Sequence, residues 1–479
     1  MKLLSNAPWL LGSLLAVTAC SVGPKYSKPE TPVAANFSNG KHDSFANVEP
    51  AIQWWHRFDD SELNHLVDQA LANNKDLKIA AARVDEAMAL ARVAHIALFP
   101  TVTSDASYTR THESRVERIP LPGVTGNTQV LDFGLQETWE IDLWGRVRNS
   151  YKAAKADLEA NNEQRNDTMV SLISDVGRLY LELRGLQNEL AVALQNVQNQ
   201  KETVELTENL LKGGRGTELD TSRALAQLKT TEATVPPLQS AISKDAHAIA
   251  VLLGEQPQVL EKELLRAKPI PSLPTLVRIG KPESLLRRRP DVRVAERSLE
   301  AASLRINVAT ADLFPKVTFN GTVDLQAKNF SGLSGPGSGA SSFGPGISWP
   351  ALDIWRVKAL VDVAKARERE QLATYEKTVL TALQETEDAL TDYGYQRARR
   401  GFLSEAAEAS EKAARLARER FKQGAADFLT VLDAERTMLQ AQSDLAVSET
   451  GTATAIVAVY KALGGGWESP GRDVTQSSK

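Results

Sequence analysis

The stretch "DLFPKVTFNGTVDLQ", residues 312–326, changes its hydrophobic period at a proline. Before Pro315, alanines and valines recur at spacings of three and four residues, which is typical of a helix. After Pro315, polar residues alternate with mostly apolar ones, which are Val317, Phe319, Gly321, Val323 and Leu325. A period of two is typical of a strand with one apolar and one polar face. The stretch therefore predicts that a helix ends and a strand begins at Pro315.

A near copy of this stretch, "ALFPTVTSDASYT" at residues 97–109, predicts a second helix-to-strand junction at Pro100. Residues 76–100 align without a gap on residues 291–315, an offset of 215 positions. Two later pairs also match: "WEIDLWGRVR" (139–148) with "WPALDIWRVK" (349–358), and "LKGGRGTELDTSRALAQL" (211–228) with "FKQGAADFLTVLDAERTM" (421–438). A repeat of this length predicts two structural halves rather than a short-period solenoid.

Each half has the same predicted order: helix, strand, loop, strand, very long helix, tight turn and second long helix. The patterns predict strand pairs at residues 101–111 with 130–143, and at residues 316–327 with 342–353. The stretches between the paired strands, residues 117–127 and 329–341, are rich in proline and glycine and predict surface loops. The second loop is no phosphate cradle, because a strand follows it instead of a helix.

The long helical segments lack proline from residue 123 to 235 and from 351 to 469. Apolar residues recur at alternating three- and four-residue steps between Leu183 and Leu211, a pattern similar to a coiled coil. One helix over residues 146–212 would be roughly 100 Å long, at about 1.5 Å per residue. Such a rod must pack against others along its length. Pro236 and Pro237 predict a kink or break in the returning helix.

The turns between the long helices can be located from their glycines and caps. Glycines follow Lys212 and Lys422, which predicts left-handed helix ends with a cation in the last turn; they are Gly213, Gly214, Gly216 and Gly424. Thr217 and Asp427 then offer N-caps for the returning helices. Each half therefore contains a hairpin of two long antiparallel helices with its tip at one of these turns.

The first residues have the pattern of an export signal. Lys2 precedes an apolar run, residues 9–16, that is too short to span a bilayer. "VTAC" at residues 17–20 resembles the lipobox of bacterial lipoproteins, which implies a diacylglycerol and an acyl chain on Cys20. Ser21 follows in place of the aspartate that retains such lipoproteins in the inner membrane, so the resemblance implies the outer membrane. The alternative is an ordinary signal peptide with an unrelated cysteine nearby.

Composition excludes several classes of function. The net charge is −4, so no basic surface field gathers nucleic acid. One cysteine excludes a disulfide framework and a cysteine-based metal cluster. The 6 histidines have no metal-binding spacing, and neither a nucleophile elbow nor a P-loop occurs. We expect no enzyme activity, no cofactor and no metal site.

Amphipathic strands with free edges cannot stand alone in a membrane. Membrane barrels need about eight strands or more, and each chain has four predicted strands. Several chains must therefore each contribute a sector of one barrel. Trp139, Trp144, Trp349 and Trp355 flank the strands where an aromatic belt is expected at the membrane interface. The alternative for some of these tryptophans is a place in a soluble core.

The repeated halves resemble the outer-membrane factor (TolC-like) channels, and most closely their lipidated OprM-type members. The resemblance covers nearly the whole mature chain, from "IQWWHRFDDSELNHLVDQAL" (52–71) through "RRRPDVRVAERSLEAA" and "GAADFLTVLDAERTML" to "YKALGGGW" (460–467). It implies a homotrimer with a twelve-stranded outer-membrane barrel and a helical periplasmic tunnel. It also implies that the hairpin tips dock a periplasmic adaptor and, through it, an inner-membrane pump, most often of the RND type.

The resemblance extends to the gate of these channels. "RFKQGAADFLTVLDAER" (420–436) is similar to the family's periplasmic constriction, which implies that Leu429 and Asp433 narrow the pore. Phe421 stands where related proteins have a tyrosine, so a phenolic hydrogen bond is absent from the closed state. Leu429 and Asp433 are four residues apart and share one helix face. Without the resemblance, the favoured interpretation of Asp433 is a solvated surface residue.

The predicted fold class is mainly α with a membrane β-barrel sector. The predicted divisions are a signal peptide (1–19), a lipid-anchored segment (20–60), a first repeat (61–270, with strand pair 101–143 and helical hairpin 146–254), a second repeat (271–463, with strand pair 316–353 and helical hairpin 353–463) and a tail (464–479). The predicted function is the passive exit channel of a tripartite efflux system for drugs or other small molecules. The alternative is a periplasmic coiled-coil lipoprotein, a scaffold or tether without a pore.

Overall fold

The computed structural model describes residues 21–40, 44–112, 114 and 127–468. Its helices are α1 Ser61–Asn73, α2 Lys75–Ile96, α3 Arg146–Lys212, α4 Glu218–Glu232, α5 Val235–Leu252, α6 Glu261–Leu264, α7 Pro282–Arg288, α8 Pro290–Ala311, α9 Ile354–Lys422 and α10 Phe428–Ala462. Its strands are β1 Phe45–Ala46, β2 Thr101–His112, β3 Asn127–Ile141, β4 Val277–Arg278, β5 Lys316–Ala327 and β6 Gly339–Ser348. The chain is mainly helical, as predicted.

The chain separates into two compact units. The sheet unit comprises the described part of Met1–Glu30 together with Arg83–Asn161 and Val294–Tyr375. The helical unit comprises the described parts of Thr31–Ala82, Asn162–Arg293 and Glu376–Lys479. Each unit therefore draws on both halves of the sequence.

The sheet unit is built on one antiparallel sheet. Within the described residues its strand order is β2-β3-β5-β6. Thr101 pairs with Thr138, Ile141 with Val317, and Lys316 with Ser348. Pairing is continuous along the strands. β2 and β6 stand at the two ends of this order, so they are the edges of the sheet in this chain.

Both Leu-Phe-Pro sequences stand where they were predicted to stand. α2 ends at Ile96 and α8 at Ala311, and the strands begin at Thr101 and Lys316, directly after the two prolines. Proline has no N–H to continue a helix, and it disfavours helical backbone at the residue before it. The junctions predicted from the change of hydrophobic period are confirmed.

Two strands differ from the prediction at both ends. β3 was expected over residues 130–143, but it covers Asn127–Ile141. It ends at Ile141 because the Asp142 carboxylate accepts hydrogen bonds from the Val147 and Arg148 amides (3.2 and 2.9 Å) and starts α3. β6 was expected over residues 342–353, but it covers Gly339–Ser348 and is followed by Pro350 and a 3₁₀ turn, Ala351–Asp353. The strand ends where the chain enters this 3₁₀ turn; a proline alone does not end it, since β6 contains Pro345, which is tolerated in an edge strand.

The long helices have the predicted extent. α3 has 67 residues and α9 has 69 residues. The first returning helix is broken between Glu232 and Val235, and its second part begins with Pro236 and Pro237 in the first turn. Prolines are tolerated there because the first amides of a helix have no intrahelical partner. The second returning helix, α10, runs unbroken for 35 residues.

The core of the helical unit surrounds two adjacent tryptophans, Trp54 and Trp55, which are fully buried. The Trp54 ring stacks on Tyr460 with centroids 5.1 Å apart and an interplanar angle of 10°. A side chain at Gly177 would place its Cβ 2.9 Å from the Trp54 ring, so α3 passes this ring at a glycine. The core therefore ties the segment before α1 to α3 and α10.

A buried ion pair joins α1 to the same long helix. The guanidinium of Arg184 is fully buried, and its Nη2 lies 2.8 Å from Glu62 Oε2. Tyr180, one turn earlier, donates its hydroxyl to Asp60 Oδ2 at 2.8 Å, and burial raises the pKa of Tyr180. Buried charges are stable only when they are paired, so these contacts hold α1 in one position on α3.

Candidate functional site

One face of the sheet is apolar and exposed. Strand register places on it eight large side chains that all remain exposed in the chain: Val102, Tyr108, Phe133, Leu135, Val323, Leu325, Phe343 and Ile347. Arg110 and Glu137 are charged exceptions on this face. The other face carries polar residues, among them Asp105, Asp132, Gln136, Asn320, Asp324 and Ser342. An exposed apolar face of this extent marks a surface that meets a membrane or another apolar partner.

Two tryptophans cap the helices that lead into the strands. Trp139 Nε1 donates a hydrogen bond to the Leu98 carbonyl at 3.0 Å, and Trp349 Nε1 donates to the Leu313 carbonyl, also at 3.0 Å. These are equivalent positions in the two repeated stretches. The last carbonyls of a helix have no intrahelical partner, and the prolines that follow supply no N–H. The indoles provide the missing donors, a role that the sequence did not indicate.

The segment that follows β6 is exposed and aromatic. Trp349, Leu352 and Trp355 are all exposed, and the Lys358 ammonium lies 4.6 Å from the centroid of the Trp355 ring. Tryptophan beside lysine is typical of a membrane–water interface. Trp144, in contrast, is half-buried and stacks on Phe314 with centroids 4.8 Å apart. The four predicted belt residues therefore divide into an exposed pair, Trp349 and Trp355, and a half-buried pair, Trp139 and Trp144.

The two hairpin tips have the same backbone design. The Arg215 amide donates to the Leu210 carbonyl and the Ala425 amide to the Arg420 carbonyl, both at 2.8 Å. These bonds close a Schellman turn around a glycine with positive φ, +71° at Gly214 and +74° at Gly424. Left-handed backbone is confirmed at these two glycines.

Gly213 and Gly216 do not have positive φ, so the left-handed prediction is wrong for them. Gly216 has a steric role instead, because a Cβ there would lie 2.9 Å from the Leu211 amide nitrogen. Lys212 and Lys422 are each the last residue of their helix, as predicted.

The predicted N-caps are present at both tips. Thr217 Oγ1 accepts a hydrogen bond from the Asp220 amide at 3.2 Å, and Asp427 Oδ1 accepts from the Thr430 amide at 2.9 Å. Hydrogen bonds from the Thr430 hydroxyl and amide lower the pKa of Asp427. Because α10 starts from this cap, the cap sets where the next residues of the helix lie.

The first turns of α10 carry the predicted gate residues. Leu429 and Asp433 are both exposed and lie on one face of the helix. Phe421 does not lie with them. It is half-buried, and its ring packs on Phe428 with centroids 5.6 Å apart, at the edge of an apolar cluster.

The whole arrangement matches a known family. The profile described as "Outer membrane efflux protein" matches residues 66–255 and 282–465, well over half of the chain. This chain belongs to the outer membrane efflux protein family. The two matched segments also correspond to the two repeated stretches of the sequence.

Individual relatives of this outer membrane efflux protein agree with the match. The chain is 31% identical over 468 residues to the solvent efflux pump outer membrane protein SrpC of Pseudomonas putida, across 95% of this chain and 97% of that protein. It is 27% identical to the cation efflux system protein CusC of Escherichia coli, across 95% and 97% of the two chains. Its fold is similar to that of the outer-membrane channel OprN, with a TM-score of 0.87, 40% identity and coverage of 94% of this chain and 100% of that one.

Sequence reasoning missed one charged group near the predicted gate residues of this efflux protein. Glu435, two residues after Asp433, is buried with an exposed fraction of 1% and binds side chains from two other helices. The sequence does contain a signal for the burial of Glu435. The three- and four-residue spacing of this helix face predicts an apolar residue at position 435.

Cys20, the predicted lipidation residue, and the predicted signal peptide lie outside the described residues, as do most of the loop at 117–127 and the end of the C-terminal tail. No helix among the described residues is both long and apolar enough to cross a bilayer. The same residues contain no group of histidine, cysteine, aspartate or glutamate side chains arranged to hold a metal ion.

Proposed function

We propose that three copies of this efflux protein form the exit duct of a tripartite efflux system. Each copy would contribute its four strands to a twelve-stranded barrel in the outer membrane and its long helices to a tunnel in the periplasm. Drugs or other small molecules would pass through passively, without chemistry. The observation that carries the proposal is the sheet, which combines an exposed apolar face, a polar reverse face and two free edges.

The free edges require partners. In a bilayer core, each unpaired backbone N–H or C=O costs several kcal/mol, about 2–7 by transfer measurements, so open sheets do not span membranes. Pairing β2 of one copy with β6 of the next would remove both edges and direct the apolar faces outward to lipid. The polar faces would then line the lumen. The division into a first repeat (61–270) and a second repeat (271–463) is part of this proposal, with one strand pair and one hairpin per repeat.

The lipid anchor is also part of the proposal. The first described residues bind where the sheet passes into α3: the Val22 amide donates to the Trp144 carbonyl at 3.2 Å, and Asn149 Nδ2 donates to Ser21 Oγ at 3.0 Å. The start of the mature chain is thus held beside the end of a membrane strand. A diacylglycerol and acyl chain on Cys20 would insert into the same membrane. Cys20→Ala should remove this added mass from the purified protein.

The experiment that tests the duct is purification in mild detergent followed by recording in planar lipid bilayers. We expect a trimer by mass, rich in both helix and strand, that dissociates only on heating, and discrete cation-conducting channels. A monomer, or a trimer that conducts no ions under any voltage, would refute the duct. Such material would favour the alternative, a periplasmic scaffold or tether, which gives the amphipathic sheet no purpose.

The partners proposed for the tips are a periplasmic adaptor and, through it, an inner-membrane pump, of the RND type. Relatives carry the names of efflux pump outer membrane proteins, and both tips here are compact turns that display cations, Lys212 and Lys422. Cysteines at Gly214 and Gly424, fitted with a photocrosslinker, should capture the adaptor in cells. A crosslinker at Gly337, in the β5–β6 loop, is the control and should capture none.

A further inference from the structure

The N-terminal part of α10 has two distinct faces. The buried face consists of Phe428, Val431, Leu432, Glu435 and Met438. The exposed face holds the proposed gate residues, Leu429 and Asp433, with Arg436 and Thr437 further along. At about 100° per residue, Glu435 and Asp433 are roughly 200° apart around the helix. Holding Glu435 inward therefore holds Asp433 outward.

Glu435 is bound from two directions. Its Oε1 accepts a hydrogen bond from Arg418 Nε on α9 at 2.5 Å and another from Thr203 Oγ1 on α3 at 2.9 Å. The carboxylate is almost completely buried, and the Arg418 side chain is about three-quarters buried. One carboxylate thus joins three long helices within the helical unit.

The hydrogen bonds of Glu435 restrict the rotation and register of α10 in a way that the neighbouring apolar contacts do not. Phe428, Val431 and Leu432 pack with Ala224 and Ala417 into a buried apolar cluster beside Glu435. Apolar packing is non-directional, so a helix that slips or rotates slightly can keep most of that contact area. Charge-assisted hydrogen bonds depend on angle and distance, and polar residues at buried helix seams are best known for setting register.

We propose that Arg418 and Thr203, acting through Glu435, are positioning residues that set the rotation of α10 and so direct Leu429 and Asp433 into the pore. This inference rests on the proposed function, which makes Leu429 and Asp433 the gate. Opening the tip then requires α10 to turn and Glu435 to leave Arg418, so the pair stabilises the closed state.

The layer around Glu435 is only partly satisfied within the chain. Gln200, one turn before Thr203 on α3, is buried to 3% exposure, and neither its Oε1 nor its Nε2 has a hydrogen-bond partner among the described residues. Arg418 Nη2 is also buried and has no hydrogen-bond partner among the described residues. A partly satisfied polar layer holds one packing less firmly than an apolar layer, which suits an element that must adopt two packings.

The test compares Arg418→Met and Thr203→Val with the unchanged protein in planar bilayers. Removing Arg418 leaves a buried carboxylate without its cation, so the closed packing loses its advantage and channel open probability should rise about tenfold or more. Thr203→Val should raise the open probability less, because one hydrogen bond to the carboxylate is lost while Arg418 still pairs with it. Arg400→Met is the matched control: Arg400 Nη2 pairs with Glu449 Oε1 at 3.5 Å between the same two helices, but at an exposed site, and we expect no change.

A charge exchange separates positioning from general damage to the fold. Arg418→Glu combined with Glu435→Arg restores the pair, and the Thr203 hydroxyl can accept a hydrogen bond in place of donating one. We expect the open probability of the double variant to return towards that of the unchanged protein, whereas each single variant keeps a raised open probability. A double variant that remains as open as the singles would contradict the proposal.

Helix rotation has its own readout. A cysteine at Leu432, which is buried, should react with a soluble thiol reagent about tenfold faster in Arg418→Met than in the parent, because rotation exposes it. Unchanged labelling would overturn the proposal, and so would faster labelling without a rise in open probability. If the parent protein forms no pore at all, the proposed function fails, and Leu432→Cys labelling alone decides whether Arg418 sets the rotation of α10.

Discussion

Asp433 is the residue whose role depends most on assembly. In one chain it is an exposed carboxylate on α10, and only three-fold symmetry would bring three copies together at one axis. Close carboxylates attract cations and repel anions. We expect Asp433→Ala to raise single-channel conductance and to reduce cation preference severalfold. Glu419→Ala is the control, since Glu419 pairs with Lys422 at the same tip; equal effects of the two variants would remove Asp433 from the constriction.

Asp245 gives the helical unit a dependence on pH. Burial, reinforced by the nearby Glu182 carboxylate and opposed by Arg178, raises the pKa of Asp245 to about 6. The folded state therefore binds more protons than the unfolded state between pH 4 and 6, so the unfolding free energy falls as the pH rises through this range.

Asp245→Asn removes the free-energy cost of ionising this partly buried carboxyl group. At pH 7.5 the variant should be more stable by about 1 kcal/mol, a value reduced from the full pKa shift because Asp245 is only half-buried. The gain should shrink as the pH falls and approach zero near pH 3, where the Asp245 carboxyl is almost fully protonated in both the folded and the unfolded state. Thermal unfolding of the two proteins at both pH values measures this difference. A variant that is less stable at pH 7.5 would show that the ionised carboxylate helps the fold.

At the scale of elements, the helix ends depend on single glycines. Gly424 has φ of +74°, and a Cβ there meets only the end of the Arg215 side chain, so backbone strain and not crowding opposes substitution. Gly424→Ala should destabilise the tip by about 1 kcal/mol. Gly401→Ala, in the interior of α9 with open space around it, should instead stabilise that helix by about 0.5–1 kcal/mol. Hydrogen exchange of the segments around residues 401 and 424 should change in opposite directions.

At the scale of the whole molecule, the sheet edges predict how copies join. Facing residues of paired antiparallel strands have Cα atoms about 4.5–5.5 Å apart, within the range of about 4.4–6.8 Å that disulfides bridge. Cysteines placed one at a time along β2 and combined with Ser342→Cys on β6 should give covalent dimers and trimers at one register. The same scan along β3, which has partners on both sides within the chain, should give none. Crosslinks from β3 but not from β2 would exclude the closed barrel.

Much of this fold follows from local sequence. The two Leu-Phe-Pro sequences predicted both helix-to-strand junctions, and the alternation of polar and apolar residues predicted the two faces of the strands. Pro236 and Pro237 predicted the break between α4 and α5. Glycine and cap residues located both tips. These features depend on backbone sterics and on hydrogen bonds within a few residues, so the information is present in short segments.

What only the tertiary structure decided involves groups that are distant in sequence. Thr203 meets Glu435 across 232 positions, and Trp349 reaches the Leu313 carbonyl across 36. A buried glutamate and a solvated one look alike in a sequence, because burial depends on which helices pack around it. For the same reason, the sequence predicted the side of α10 that carries Leu429 and Asp433, whereas only the packed structure revealed the Arg418–Glu435 pair on the opposite side.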